Sequence, residues 1–153
     1  MKFIKADKGK FSFQMARRER EMLFHVLELY PLIPVSHQQL SKTEDRPEDQ
    51  QLLEETLAAQ RKKNRQQIQA MLKAKSRFRV DGNGFRFSLT AAQMEWLLQV
   101  LNDVRVGSWL ILGSPDGPAE TFAVLNEKTA PYFWAMEVAA DFQMTLVNAM
   151  SGA

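Results

Sequence analysis

Residues 77–88, RFRVDGNGFRFS, constrain this chain more than any other stretch. Asp81-Gly82-Asn83-Gly84 is a run of residues that favour positive φ, and the flanks RFRV and FRFS alternate strictly between apolar and polar. Period-two alternation makes a strand with one face toward a core. Phe78 and Val80 share a face, as do Phe85 and Phe87, while Arg77, Arg79, Arg86 and Ser88 take the opposite faces. A second hairpin is expected over residues 2–14, where KFIKA and KFSFQ flank Asp7-Lys8-Gly9. A lone hairpin is marginal in water, so the two are expected to join in one small antiparallel sheet.

Most of the remaining chain reads as helix. Over residues 16–30, Leu23, Val26, Leu27 and Tyr30 fall at i, i+3, i+4 and i+7, and Pro31 and Pro34 stop the helix. From Pro47 to Lys75 good helix formers dominate, with a proline suited to the first turn. The apolar members of this helix are sparse between 59 and 67, which predicts a half-exposed helix. Thr90 and Gln93 form a capping-box pattern before a helix over 91–112, ended by Gly113. Its stripe is Leu97, Leu98, Leu101, Val104 and Leu112. Residues 119–128 are ambiguous between loop and short helix. The last helix, 130–150, is apolar almost all round, so it should be central or face a partner. The expected fold is α+β: a mainly helical, bundle-like core of about four helices with two β-hairpins, at about 2–14 and 77–88. At 153 residues a single domain, 1–153, is expected.

Composition excludes several functions. Zero cysteines rule out disulfides, thiol catalysis and cysteine-ligated zinc. The longest apolar runs fall short of the roughly 20 residues that span a bilayer. MKFIKADKGK is basic without an apolar segment behind it, so no secretory signal and no membrane association is expected, and the location is expected to be cytoplasmic. His25 lies beside the apolar stripe of the first helix and His37 in a polar loop, and neither has a Ser/Asp partner pattern. Asp81-Gly82-Asn83-Gly84 is no phosphate loop, because no Gly-Lys-Ser/Thr follows.

Charge is segmented although the net is only +2. Between residues 61 and 86 stand Arg61, Lys62, Lys63, Arg65, Lys73, Lys75, Arg77, Arg79 and Arg86, against Asp81 alone. These nine are the candidate polyanion-binding residues, with the hairpin acting as a wing. The structural alternative is a solvated surface. Glu48, Asp49, Glu54 and Glu55 near one end of the long helix, and Lys73 and Lys75 near the other, already satisfy the helix dipole. No aromatic stripe interleaves the charges, so stacking on single strands draws no support from the sequence.

Glu137 and Asp141, at i and i+4, could support a metal or an acid/base pair, but no second ligand set accompanies them. A solvent-facing stripe, or pairing with Arg105, is the favoured reading. Asn102, Arg105, Glu137 and Asp141 are thus a candidate structural polar cluster that fixes how two helices dock. Trp109, Trp134, Phe133 and the eight methionines suit a core, and methionine also suits an adaptable partner surface.

Residues 100–109 (VLNDVRVGSW), after a hairpin and a capped helix start, look like a Leu-Asn-Asp-Leu-Arg segment of a bacterial family. Residues 132–150 (YFWAMEVAADFQMTLVNAM) resemble its closing helix, and the early leucine-rich helix followed by Tyr30-Pro31 is similar too. The family is the bacterial domain-of-unknown-function family numbered two-thousand-and-seventeen. The resemblance implies a cytoplasmic, mainly helical protein with no established catalytic activity, some of whose members are described as regulators. Leu101, Asn102, Asp103 and Arg105 carry over as structural markers. The basic hairpin does not map onto the family pattern. The expectation is therefore a non-enzymatic regulatory or protein-interaction domain without cofactor, acting through an unknown protein partner or self-association. The alternative is a nucleic-acid-binding module using residues 61–86.

Overall fold

The computed structural model describes residues 1–34 and 47–152, so His37 and the turn expected around residues 38–40 lie outside the described residues. The fold is α+β, as the patterning predicts. The chain order is β1 (Lys2–Asp7), β2 (Lys10–Ala16), α1 (Arg17–Glu28), α2 (Pro47–Lys73), a 3-10 turn (Lys75–Arg77), β3 (Arg79–Asp81), β4 (Gly84–Thr90), α3 (Ala91–Ile111), the short α4 (Pro118–Val124) and α5 (Ala130–Met150).

The two hairpins do join. They make one antiparallel sheet of order β1-β2-β4-β3, closed by the pairing of β2 with β4. That ladder runs unbroken from Lys10 opposite Thr90 to Ala16 opposite Gly84. It sorts the side chains by parity. Phe11, Phe13 and Met15 meet Leu89, Phe87 and Phe85 on the inner face, where the Phe13 and Phe87 rings stack at 5.5 Å between centroids. Lys10, Ser12 and Gln14 meet Thr90, Ser88 and Arg86 on the outer face.

Two details of the second hairpin depart from the pattern. Arg77 lies in the 3-10 turn rather than in a strand, and β3 is only three residues long. Val80 shares the inner parity of Phe78, yet it is 76% exposed while Phe78 is buried. β3 is the edge strand of the sheet and pairs with β4. Gly82 supplies the positive φ of the turn, at +61°.

α3 and α5 form the central helix pair and pack against each other more extensively than any other two elements. Leu97, Leu101 and Val104 of α3 are buried with Ala135, Ala139, Phe142 and Leu146 of α5. The capping box forms as expected. Thr90 Oγ1 accepts from Gln93 N at 3.2 Å, and Gln93 Oε1 accepts from Thr90 N at 2.9 Å. α1 contributes Leu23, Val26 and Leu27 to the same core.

α2 is largely exposed, as the sparse apolar pattern predicts, and among its described side chains Asn64, Ile68 and Met71 are buried. These three positions lie on one stripe, spaced by four and three. Arg61 continues the stripe, so it turns polar where it meets the chain after α1. There Asn64 Nδ2 donates to the Tyr30 hydroxyl at 3.0 Å, and the Arg61 guanidinium donates to the Ile33 carbonyl.

Candidate polyanion-binding face

The outer face of the sheet is cationic. Parity places Lys2 and Lys5 of β1, Lys10 of β2, Arg86 of β4 and Arg79 of β3 on it. Asp7 and Asp81 are the acidic residues on the same face. Ser12 and Ser88 face each other in its middle, their hydroxyl oxygens 3.0 Å apart. Arg79 and Arg86 are direct cross-strand neighbours. Like charges directly opposite on a ladder repel. Asp81 answers only part of this, with Oδ2 3.2 Å from Arg86 Nε. Arg79 is exposed, and no ion pair to it is formed among the described residues.

Where β3 and β4 meet the ends of α2 and α3, the surface sinks into a cleft of about 610 Å³. Lys10, Arg77, Arg79, Arg86, Ser88 and Thr90 line it. Arg77 is held in place by donating from Nη1 to the Ser88 carbonyl at 3.3 Å. Three arginine forks and Lys10 lining one space make a strongly cationic environment rich in donors, with hydroxyls that both donate and accept beside them. Thr90 also places the N-terminus of α3 on the rim, where the peptide dipoles favour negative charge. This arrangement can hold phosphate oxygens by charge-assisted hydrogen bonds.

The nine basic residues marked in the sequence therefore divide. Arg77, Arg79 and Arg86 come together in the cleft. Arg61, Lys62 and Arg65 line a separate depression on the exposed side of α2 beside Pro31. Lys63 is exposed on α2, Lys73 is exposed at its last residue, and Lys75 opens the 3-10 turn. Lys10, which the sequence block omits, joins the cleft because β2 pairs with β4 across nearly the whole second half of the sheet. No local signal in the sequence marks that pairing.

The candidate polar cluster is rearranged. Asn102, Arg105, Glu137 and Asp141 are all exposed, and no ion pair among them is formed among the described residues. Asp141 instead acts on the Met1 ammonium, whose pKa is lowered by burial and raised in part by that carboxylate. A different polar contact on α3 is made by Asp103, which ties the chain after α1 to this helix. Its Oδ1 accepts from Leu32 N at 2.7 Å and from Ile33 N at 3.4 Å. Burial pushes its carboxyl above the ordinary value, opposed by the Leu32 and Ile33 amides and by nearby Arg61. Burial likewise raises the Tyr30 hydroxyl, opposed by the Asn64 hydrogen bond. Gly107, one turn after Asp103, lets the same segment approach. A Cβ there would lie 2.3 Å from Leu32 Cβ.

A further feature escaped sequence reading. The Arg20 guanidinium lies 4.1 Å from the Phe85 ring centroid, 5.4 Å from Phe24 and 5.7 Å from Phe78. The cation lies over these ring faces. His25 is exposed, with its ring 6.3 Å from that of Trp134. Among the described residues no group of three or more His, Asp or Glu side chains is placed to hold a metal ion, and no helix is long and apolar enough to cross a membrane.

Set against models of known families, curated proteins and solved structures, the chain matches none of them.

Proposed function

We propose that this chain is a non-catalytic binding module that docks the phosphate backbone of a nucleic acid on the outer face of its sheet. The observation that carries the reading is the Arg79–Arg86 pair, set directly opposite each other in a cleft that also gathers Lys10 and Arg77. A repulsive pair of this kind is a cost to the fold on its own. An anion between the two forks turns that cost into binding energy. Arginine suits phosphate better than lysine does, because its planar fork donates twice to one group. The row of Lys2, Lys5 and Lys10 on the neighbouring strands extends the field beyond a single phosphate. An extended polyanion therefore fits better than a small ion. The reading places the chain in the cytoplasm, and the absence of cysteine agrees with a reducing compartment. Its resemblance to a bacterial family with members described as regulators is in keeping with a regulatory role.

Fluorescence anisotropy with a mixed-sequence oligonucleotide tests this directly. The Arg79→Glu, Arg86→Glu double variant is expected to lose binding while keeping the melting temperature of the parent. Unchanged affinity in that variant, or equally tight binding of a polyglutamate peptide of matched charge, would overturn the reading.

One observation favours a second reading, self-association. Met144 and Val147 are 64% and 50% exposed on α5, a helix that otherwise lies in the core. The occupant would be a second copy of the chain. Sedimentation across micromolar concentrations tests it, and a strict monomer would count against it.

A further inference from the structure

The cationic cleft does not end at Arg77. It opens into a groove of about 330 Å³ between the C-terminal part of α2 and the start of α3. Ala74, Arg77 and Gln93 line both spaces, so the two adjoin. The character changes across that boundary. On the groove side Ala70, Met71 and Trp96 supply apolar surface and one aromatic ring, while Gln67 and Gln93 supply amides that donate and accept. A volume of this order lies at the small end of the range typical of pockets for organic ligands. A dense cationic site beside a small apolar slot with two amides matches one covalent unit: a phosphate joined to a flat, polar-edged ring.

We infer that the groove takes one unstacked base of a single-stranded nucleic acid, whose flanking phosphate sits on Arg77, Arg79 and Arg86. This rests on the phosphate-docking reading above and names the form of nucleic acid it selects. In a duplex the bases are paired and stacked, and none can leave the helix without loss of those contacts. A single strand presents bases that are free to insert beside Trp96 and Met71. Selection of single strands thus follows from the groove, whereas salt-dependent attachment follows from the arginines. An outward-facing aromatic stripe is absent from the sheet, so the discrimination falls on this one slot at its edge.

Four probes separate the two: a mixed-sequence single strand, the same strand made abasic throughout, the matching duplex, and the intact single strand against Ala70→Leu. Ala70 is exposed on α2, so leucine there fills the groove without entering the core. The intact single strand is expected to bind about tenfold tighter than the abasic strand and than the duplex, the scale of one base stacked on a protein ring. Ala70→Leu is expected to bring the intact strand down to the abasic level and to leave abasic binding unchanged. Trp96→Leu, checked by its melting curve, gives the same loss from the opposite wall. Equal binding of intact, abasic and duplex probes, all weakened by salt, overturns the base slot and leaves phosphate docking standing. Binding of none of the probes at low salt overturns both.

Discussion

Arg86 Nε lies 3.2 Å from Asp81 Oδ2, and the same carboxylate oxygen accepts from Gln14 Nε2 at 3.4 Å. Asp81 thereby offsets the charge of an arginine that otherwise stands opposite Arg79. It also competes with any phosphate for that guanidinium. Asp81→Asn keeps the shape and the link to Gln14 while removing the competing charge. Oligonucleotide affinity at low salt is expected to rise about threefold, with stability changed by less than about 1 kcal/mol because the pair is half-exposed. A titration showing weaker binding would mean that Asp81 orders Arg86 for its ligand rather than restraining it.

Arg61 and Arg79 separate support from binding. The Arg61 guanidinium holds the Ile33 carbonyl on the far side of α2, whereas Arg79 is exposed in the cleft. Arg61→Ala is expected to cost about 1–2 kcal/mol in urea unfolding and to leave oligonucleotide affinity within twofold. Arg79→Ala should do the reverse. It relieves cross-strand repulsion, so the melting temperature holds or rises, and it lowers the salt slope of single-strand binding by about 0.7 unit. An effect of both variants on binding alone would place the ligand across α2 instead.

Asp103 contributes a pH dependence to stability. Burial raises its carboxyl above the ordinary value in the folded chain. The folded state therefore holds this proton more tightly than the unfolded state does. Its contribution to stability is greatest at low pH and is lost as pH rises from the ordinary carboxylate range through the raised value. Asp103→Asn removes that slope and still accepts from the Leu32 amide, so it should match or exceed the parent at neutral pH. Asp103→Ala strands the Leu32 and Ile33 amides and is expected to cost about 1–3 kcal/mol throughout. Urea melts from pH 4 to 8 distinguish the two variants.

Gly107 sits inside a helix, where alanine would ordinarily help by about 1 kcal/mol. Here the added Cβ would meet Leu32 Cβ at 2.3 Å and the Leu32 carbonyl carbon at 2.9 Å. The expected net effect of Gly107→Ala is a loss of about 1–3 kcal/mol, with oligonucleotide binding unchanged. A stabilised variant would show that residues 31–34 do not rest on α3 in solution.

How far the sequence discloses this molecule depends on how local each feature is. The second hairpin was legible because turn chemistry and strict alternation lie within twelve residues, and the α3 cap because Thr90 and Gln93 are three apart. Val80 keeps the face that alternation assigns it, but alternation says nothing about whether that position is covered, and Val80 is exposed. The basic block is a candidate surface in the sequence because its residues are close in the chain, beside the alternative of a solvated helix end and hairpin. Its division between the cleft and α2, and the arrival of Lys10, depend on the β2–β4 pairing across more than seventy residues. The polar contact on α3 was expected at Asn102 and Arg105. Asp103 makes a different one, to the Leu32 and Ile33 amides, and the available signal was the interior Gly107 one turn away, a mark of close backbone approach.

The most direct measurement is the salt dependence of single-strand binding by fluorescence anisotropy, between about 50 and 200 mM salt. If Lys10, Arg77, Arg79 and Arg86 each contact one phosphate, the plot of log K against log salt falls with a slope of about −3, at about 0.7 ion released per contact. A slope near that value, reduced toward zero in the Arg79→Glu, Arg86→Glu variant, is the expected result. Absence of binding at the lower salt, or binding that does not change with salt, would contradict phosphate docking on this face of the sheet.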